Sequence, residues 1–155
     1  VAVAAALVRD QTAEDRERER AVFAAVGACW GLTACQYAGE ANPIDGYLAD
    51  GDRVVALVEV KCRDVLEDTY PTVYLSVRKW LALLLGSMQG GVLPLFVVRF
   101  DDGAIRWLDV RTLPPGMPML VRGRRDRGYE NDREPVLEVP IPPMAPLDRH
   151  PDTMS

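Results

Sequence analysis

Between Pro43 and Lys61 this 155-residue chain carries the residue types that do chemistry: Asp45, and then Glu59 and Lys61 two positions apart. If Val54–Cys62 is extended, alternation puts Val55, Leu57, Glu59 and Lys61 on one face. Val54, Ala56, Val58, Val60 and Cys62 share the other, which is wholly apolar and belongs against a core. The first face ends in two charges, which are costly to bury without partners. Two converging carboxylates suit a hard cation, Mg2+ or Mn2+, and the Val60 carbonyl offers a third oxygen. Such an ion polarises a phosphate and lowers the pKa of an attacking water. An ammonium at Lys61 orients that water or stabilises charge building on the phosphorane. Lysine here runs against the chain's habit, because only Lys61 and Lys79 of its 18 basic residues are not arginine. A compact ammonium with an adjustable pKa does what a guanidinium cannot.

The element that must position Asp45 is a hairpin. Asp50-Gly51-Asp52 between apolar runs at 44–49 and 54–62 is the signal for one. With a three-residue loop, Ala49 pairs with Arg53 and Asp45 with Leu57, on the face of Glu59 and roughly 7 Å from it diagonally. A five-residue loop sets Asp45 opposite Glu59, whereas a tight two-residue turn flips it to the wrong face. The chemistry therefore requires a bulged or longer loop.

A helix opening at Thr12-Ala-Glu-Asp15 supplies a further acid. Apolar residues at Val22, Phe23, Val26, Cys29 and Trp30 have helical spacing, with Gly31 as the stop. Counting back three, four and seven residues lands on Glu19, on the core-facing stripe one turn before it begins. Glu19 is the helical acid of choice and Asp15 the second.

The remaining elements read as a short strand at Leu32–Tyr37, a helix at Thr72–Leu85, strands at 92–100 and 104–110, and a strand at 136–141. The order is αββαββ, a mixed α/β layer arrangement. The helix at Thr72–Leu85 is apolar nearly all round, which suits burial or a homodimer interface. Residues 1–141 form one domain, and 142–155 a Pro-rich tail expected to be loosely held. Arg122, Arg124, Arg125 and Arg127 are the densest basic cluster, and with Lys79 they are candidates for gripping a nucleic-acid backbone. Acidic neighbours make a solvated loop an equal reading. Trp30, Trp80 and Trp107 read as core anchors.

Composition excludes several classes. One histidine, His150, leaves no Ser-His-Asp or Cys-His system. Three cysteines give no disulfide framework, and their spacing matches no zinc signature. No phosphate-binding glycine loop is present. No apolar run spans a bilayer, and Val1–Val8 lacks the flanks of a signal peptide, so a cytoplasmic location is expected. A net charge of -5 argues against binding nucleic acid through the whole surface.

A helix carrying Glu19, followed by Pro43-Ile-Asp45 and Glu59-Val-Lys61 on a hairpin, resembles the PD-(D/E)XK nuclease superfamily. The spacing from Glu19 to Phe23 is similar to that of archaeal Holliday-junction resolvases, and the whole to small phage and prophage nuclease-like proteins. Ile44 departs from the usual Pro-Asp pair. The resemblance covers roughly Thr12 to Val110. It implies a restriction-endonuclease-like fold with a mixed central sheet flanked by helices. It also implies metal-dependent phosphodiester hydrolysis in DNA, in the cytoplasm of the host if phage-encoded. Asp45 and Glu59 then match the metal ligands, Lys61 the catalytic lysine and Glu19 the helical acid. The alternative is a catalytically inactive nuclease-fold module that binds DNA or a protein partner.

Overall fold

The computed structural model describes residues 13–38, 42–123 and 133–152. Helix α1 (Ala13–Trp30) leads into β1 (Thr33–Gln36), β2 (Gly46–Asp50) and β3 (Arg53–Cys62). Strand β4 (Thr72–Ser76) runs directly into α2 (Val77–Gly90), and β5 (Leu93–Arg99) and β6 (Ile105–Asp109) follow. A 3-10 turn (Val110–Thr112), β7 (Met119–Arg122), β8 (Glu134–Pro140) and a short β9 (Ala145–Pro146) complete the chain.

One sheet has the order β1-β2-β3-β5-β6-β9 and a second the order β4-β8-β7. Among the described strands only β3 and β5 pair in parallel, because α2 carries the chain across between them. Their shared position, with helices on both faces, explains why β5, and β3 apart from Glu59, Lys61 and its exposed start, are apolar on both sides. Val22, Phe23, Val26 and Trp30 of α1 pack on Ala56, Val58 and Val60. The opposite face meets α2 through Leu83, and the second sheet through Leu75, Leu137 and Val139. The mixed sheet and its two helices bear out the expected α/β class.

Three expectations are corrected. Thr72–Leu85 is not one helix: Thr72–Ser76 is a strand paired with β8, and the helix starts at Val77. Thr72, Val73 and Tyr74 are the β-branched and aromatic types that favour a pleated surface. Strand β7 lies where no element was expected. The stretch after Pro142 is not loosely held as far as Asp152. Met144 is 2% exposed, β9 pairs with β6, and the Trp30 and Trp107 indoles donate to the carbonyls of Leu147 (2.8 Å) and Arg149 (2.9 Å). Two indole N–H groups with carbonyl partners hold this segment down. Among the described residues no helix is long and apolar enough to cross a membrane.

Candidate active site

The β2–β3 hairpin solves the register problem in an unforeseen way. Asp50 pairs with Arg53, so the turn is the tight two-residue Gly51-Asp52, with Gly51 at φ 59°. Ala49 pairs with Val54 and Leu48 with Ala56, which leaves Val55 as an extra, bulged residue. The bulge shifts the register by one and cancels the flip that the tight turn alone would cause. It also resets the alternation, which leaves Val54 exposed rather than in the core. Gly46 then pairs with Val58, and continuing that register brings Asp45, the residue before Gly46, level with Glu59.

Asp45 is fixed from two sides. Its carbonyl accepts from Tyr37 N–H (2.8 Å) at the end of β1, and its Oδ2 accepts from Val60 N–H (2.8 Å). The Val60 carbonyl leaves the strand on the same side as its N–H, towards Asp45. Glu59 is 5% exposed, and its Oε2 is buried without a hydrogen-bond partner. Its Oε1 accepts from Lys79 Nζ, which lies 4.0 Å from Asp45 Oδ1. Lys61 Nζ donates to the carbonyl of Tyr74 on β4 (2.7 Å). Glu19 Oε2 accepts from Gln36 Nε2 (3.2 Å), at the end of β1 beside Gly46. Asp15 is paired with Arg18 (2.6 Å).

One cleft of about 1000 Å³ is lined by Glu19, Asp45, Glu59, Val60, Lys61 and Lys79, together with Tyr74, Ser76 and Glu134. Both lysines of the chain thus meet in one place. Glu134, from the start of β8, accepts from Ser76 Oγ (2.9 Å) and adds an acid that the sequence reading placed in no element. Tyr74 and Ser76 were missed because their strand was read as helix. Lys79, expected as a candidate for gripping a nucleic-acid backbone, stands here against Glu59 and near Asp45. Arg122 lies apart on β7, exposed, its guanidinium on the carbonyl of Val121 (3.0 Å). Arg124, Arg125 and Arg127 fall outside the described residues.

Burial, and then the neighbouring Asp45, push the Glu59 carboxyl up to about 8, against the pull of Lys79. Burial brings Lys61 down to about 8, and Arg63 adds to the effect. Burial also works against the charge on Lys79, but the fields of Glu59 and Asp45 outweigh it and raise its pKa. Among the described residues no three His, Cys, Asp or Glu side chains stand close enough to hold a metal between them. A hard cation here would find two carboxylates and a backbone oxygen, and the buried Glu59 Oε2, which has no hydrogen-bond partner, is an acceptor that such an ion would satisfy.

These shifts set a pH dependence in EDTA. Between the ordinary carboxyl value of 4.5 and about 8, the folded protein holds a proton on Glu59 that the unfolded chain has lost. Stability therefore falls with rising pH across that window. From about 8 to 10.5 the unfolded chain holds a proton that folded Lys61 has lost, so stability rises again. Urea denaturation from pH 5 to 10 should show a minimum near pH 8. Glu59→Gln should remove the falling limb, and a wild-type curve without that limb would show that Glu59 ionises normally.

The family described as "Phage putative PDDEXK endonuclease" matches residues 8–147. The chain belongs to this family. No curated protein matches it in sequence. Among solved structures it is similar to Archaeoglobus fulgidus Hjc, a Holliday junction resolvase from an archaeal hyperthermophile. The TM-score is 0.54 and the identity 18%, over 83% of this chain and 87% of that one. At that identity the likeness establishes the fold, which is the restriction-endonuclease-like one expected.

Proposed function

We propose that this PDDEXK family member is a divalent-cation-dependent DNA endonuclease with its active centre at Asp45, Glu59 and Lys61. The observation that carries this reading is the bulge at Val55, which brings Asp45 opposite Glu59 with Lys61 in the same cleft. Asp45, Glu59 and the Val60 carbonyl would hold Mg2+ or Mn2+, which supplies Lewis-acid polarisation of the phosphate and a more acidic water. Lys61, braced on the Tyr74 carbonyl, orients the attacking water and stabilises charge on the phosphorane. Glu19 extends the acidic wall from α1. Arg122 and the 124–127 arginines remain candidates for contacting the DNA backbone away from the cleft. The protein would act in the cytoplasm of the host cell.

A branched substrate is favoured by the likeness in fold to a junction resolvase. Incubation with Mg2+ and either a four-way junction or a linear duplex of the same sequence tests both points. Cleavage of the junction that stops in EDTA is expected. Failure to cut either substrate with Mg2+ or Mn2+ would favour an inactive module that binds DNA or a protein. The specific observation for that second reading is the ion pair by which Lys79 already neutralises Glu59.

Resolving a junction requires two cuts, and a homodimer provides two sites. Helix α2 buries Leu83 and Ser87 but exposes Leu81, Leu85 and Met88, spaced four and three residues apart on one stripe. Sedimentation should show a dimer that Leu85→Glu dissociates. A monomeric wild type would remove the interface.

A further inference from the structure

We infer that Lys79 is the resident cation of this site: its ammonium fills the position between Asp45 and Glu59 that a divalent ion takes, and metal binding displaces it. The inference rests on the metal-dependent reading above and assigns Lys79 a role in it. Asp45 commits Oδ2 to Val60 N–H, so Oδ1 is the oxygen left for a cation, and Lys79 Nζ stands 4.0 Å from it. The same ammonium is bonded to Glu59 Oε1. A divalent ion held by Asp45 Oδ1 and either oxygen of the Glu59 carboxylate would stand beside that ammonium. Two positive charges side by side repel strongly in a site where Glu59 is 5% exposed.

The two lysines are held differently. Lys61 is anchored on the Tyr74 carbonyl. Among the described residues, Lys79 is held through the carboxylates alone, on the first turn of α2, with 31% of its side chain exposed. Its four-carbon stem can swing into the cleft without breaking a backbone contact. Where Glu59 is ionised, an ammonium in place of the metal supplies the counter-charge that lets two acids face each other in a largely buried site. Once displaced, the ammonium stays at the cleft, where a phosphate would lie.

With only two lysines in the chain, side-chain ammonium resonances of 15N-labelled wild-type protein are assignable with one Lys61→Arg spectrum. In EDTA the Lys79 signal should be resolved, protected by its ion pair. Added Mg2+ should shift or abolish it and leave Lys61 in place. In parallel, calorimetric titration with Mn2+ should show Lys79→Gln binding about tenfold tighter than wild type, and charge-matched Lys61→Gln only about twofold tighter. Glu59→Gln should abolish binding.

Glu59-dependent binding that leaves the Lys79 signal unmoved, or that Lys79→Gln strengthens no more than Lys61→Gln does, overturns the inference and leaves the metal site standing. If wild type and Lys79→Gln both lack Glu59-dependent binding, the metal-dependent reading falls and the inference with it. Should Lys79→Gln not fold, the wild-type spectra decide.

Discussion

Lys61→Ala should slow Mg2+-dependent DNA cleavage by about 10²–10³-fold while the protein still binds Mn2+ through Glu59. Glu59→Gln should lose both. The difference follows from where each side chain is held. Glu59 and Asp45 face each other across the hairpin and would supply the metal's carboxylate oxygens. Lys61 contributes no oxygen and is fixed by the Tyr74 carbonyl of a different sheet, so its removal spares the ligands and takes away a positive charge near the phosphate. Single-turnover cleavage beside Mn2+ calorimetry separates the two effects. Equal cleavage by Lys61→Ala and wild type would mean that the activity arises elsewhere, as from a contaminating nuclease. Loss of Mn2+ binding in Lys61→Ala would mean that the lysine holds the pocket's shape and not the reacting charge.

The parts of this site that were legible in the sequence are those governed by strict periodicity. Alternation along β3 puts Glu59 and Lys61 on one face whatever surrounds them, and helical counting along α1 places Glu19 one turn before Phe23. Only the parity of the hairpin was legible, not its form. The chemistry demanded a bulged or longer loop, and the chain meets that demand with a two-residue turn plus a bulge at Val55. Nothing in Arg53-Val54-Val55-Ala56 marks one valine as the extra residue, because a bulge is chosen by how the sheet packs on both helices. Residues brought in by the second sheet were out of reach for a related reason. Thr72–Ser76 sits directly against an apolar helix, so a continuous hydrophobic run concealed a strand followed by a helix. With that strand misread, Tyr74, Ser76 and Glu134 could not be brought to the cleft. Lys79 was visible as a rare lysine but not as a partner of Glu59, since its position depends on the depth at which α2 crosses β3.

Gly46→Ala should cost about 3 kcal/mol of folding stability and weaken metal binding, whereas Gly86→Ala should be close to neutral. A Cβ at Gly46 would lie 2.1 Å from the backbone oxygen of Cys35 and 2.8 Å from Phe23 Cζ. Neither can yield cheaply: the first is part of the β1–β2 ladder, where Cys35 pairs with Tyr47, and the second is a core ring 3% exposed. Relief requires β1 to move off β2, and that movement takes with it the Tyr37 N–H bond to the Asp45 carbonyl (2.8 Å). Gly86 is also tight, with a Cβ 2.3 Å from Leu57 Cδ1, but that atom ends a flexible, half-buried side chain that can rotate. The helix-favouring gain of about 1 kcal/mol on replacing Gly with Ala then offsets the repacking. Urea denaturation of both variants, with Mn2+ calorimetry on whichever folds, tests the link between strand packing and the acid. A Gly46→Ala protein as stable as wild type, with metal affinity unchanged, would mean that β1 does not hold Asp45 in place and that the Val60 N–H alone positions its carboxylate.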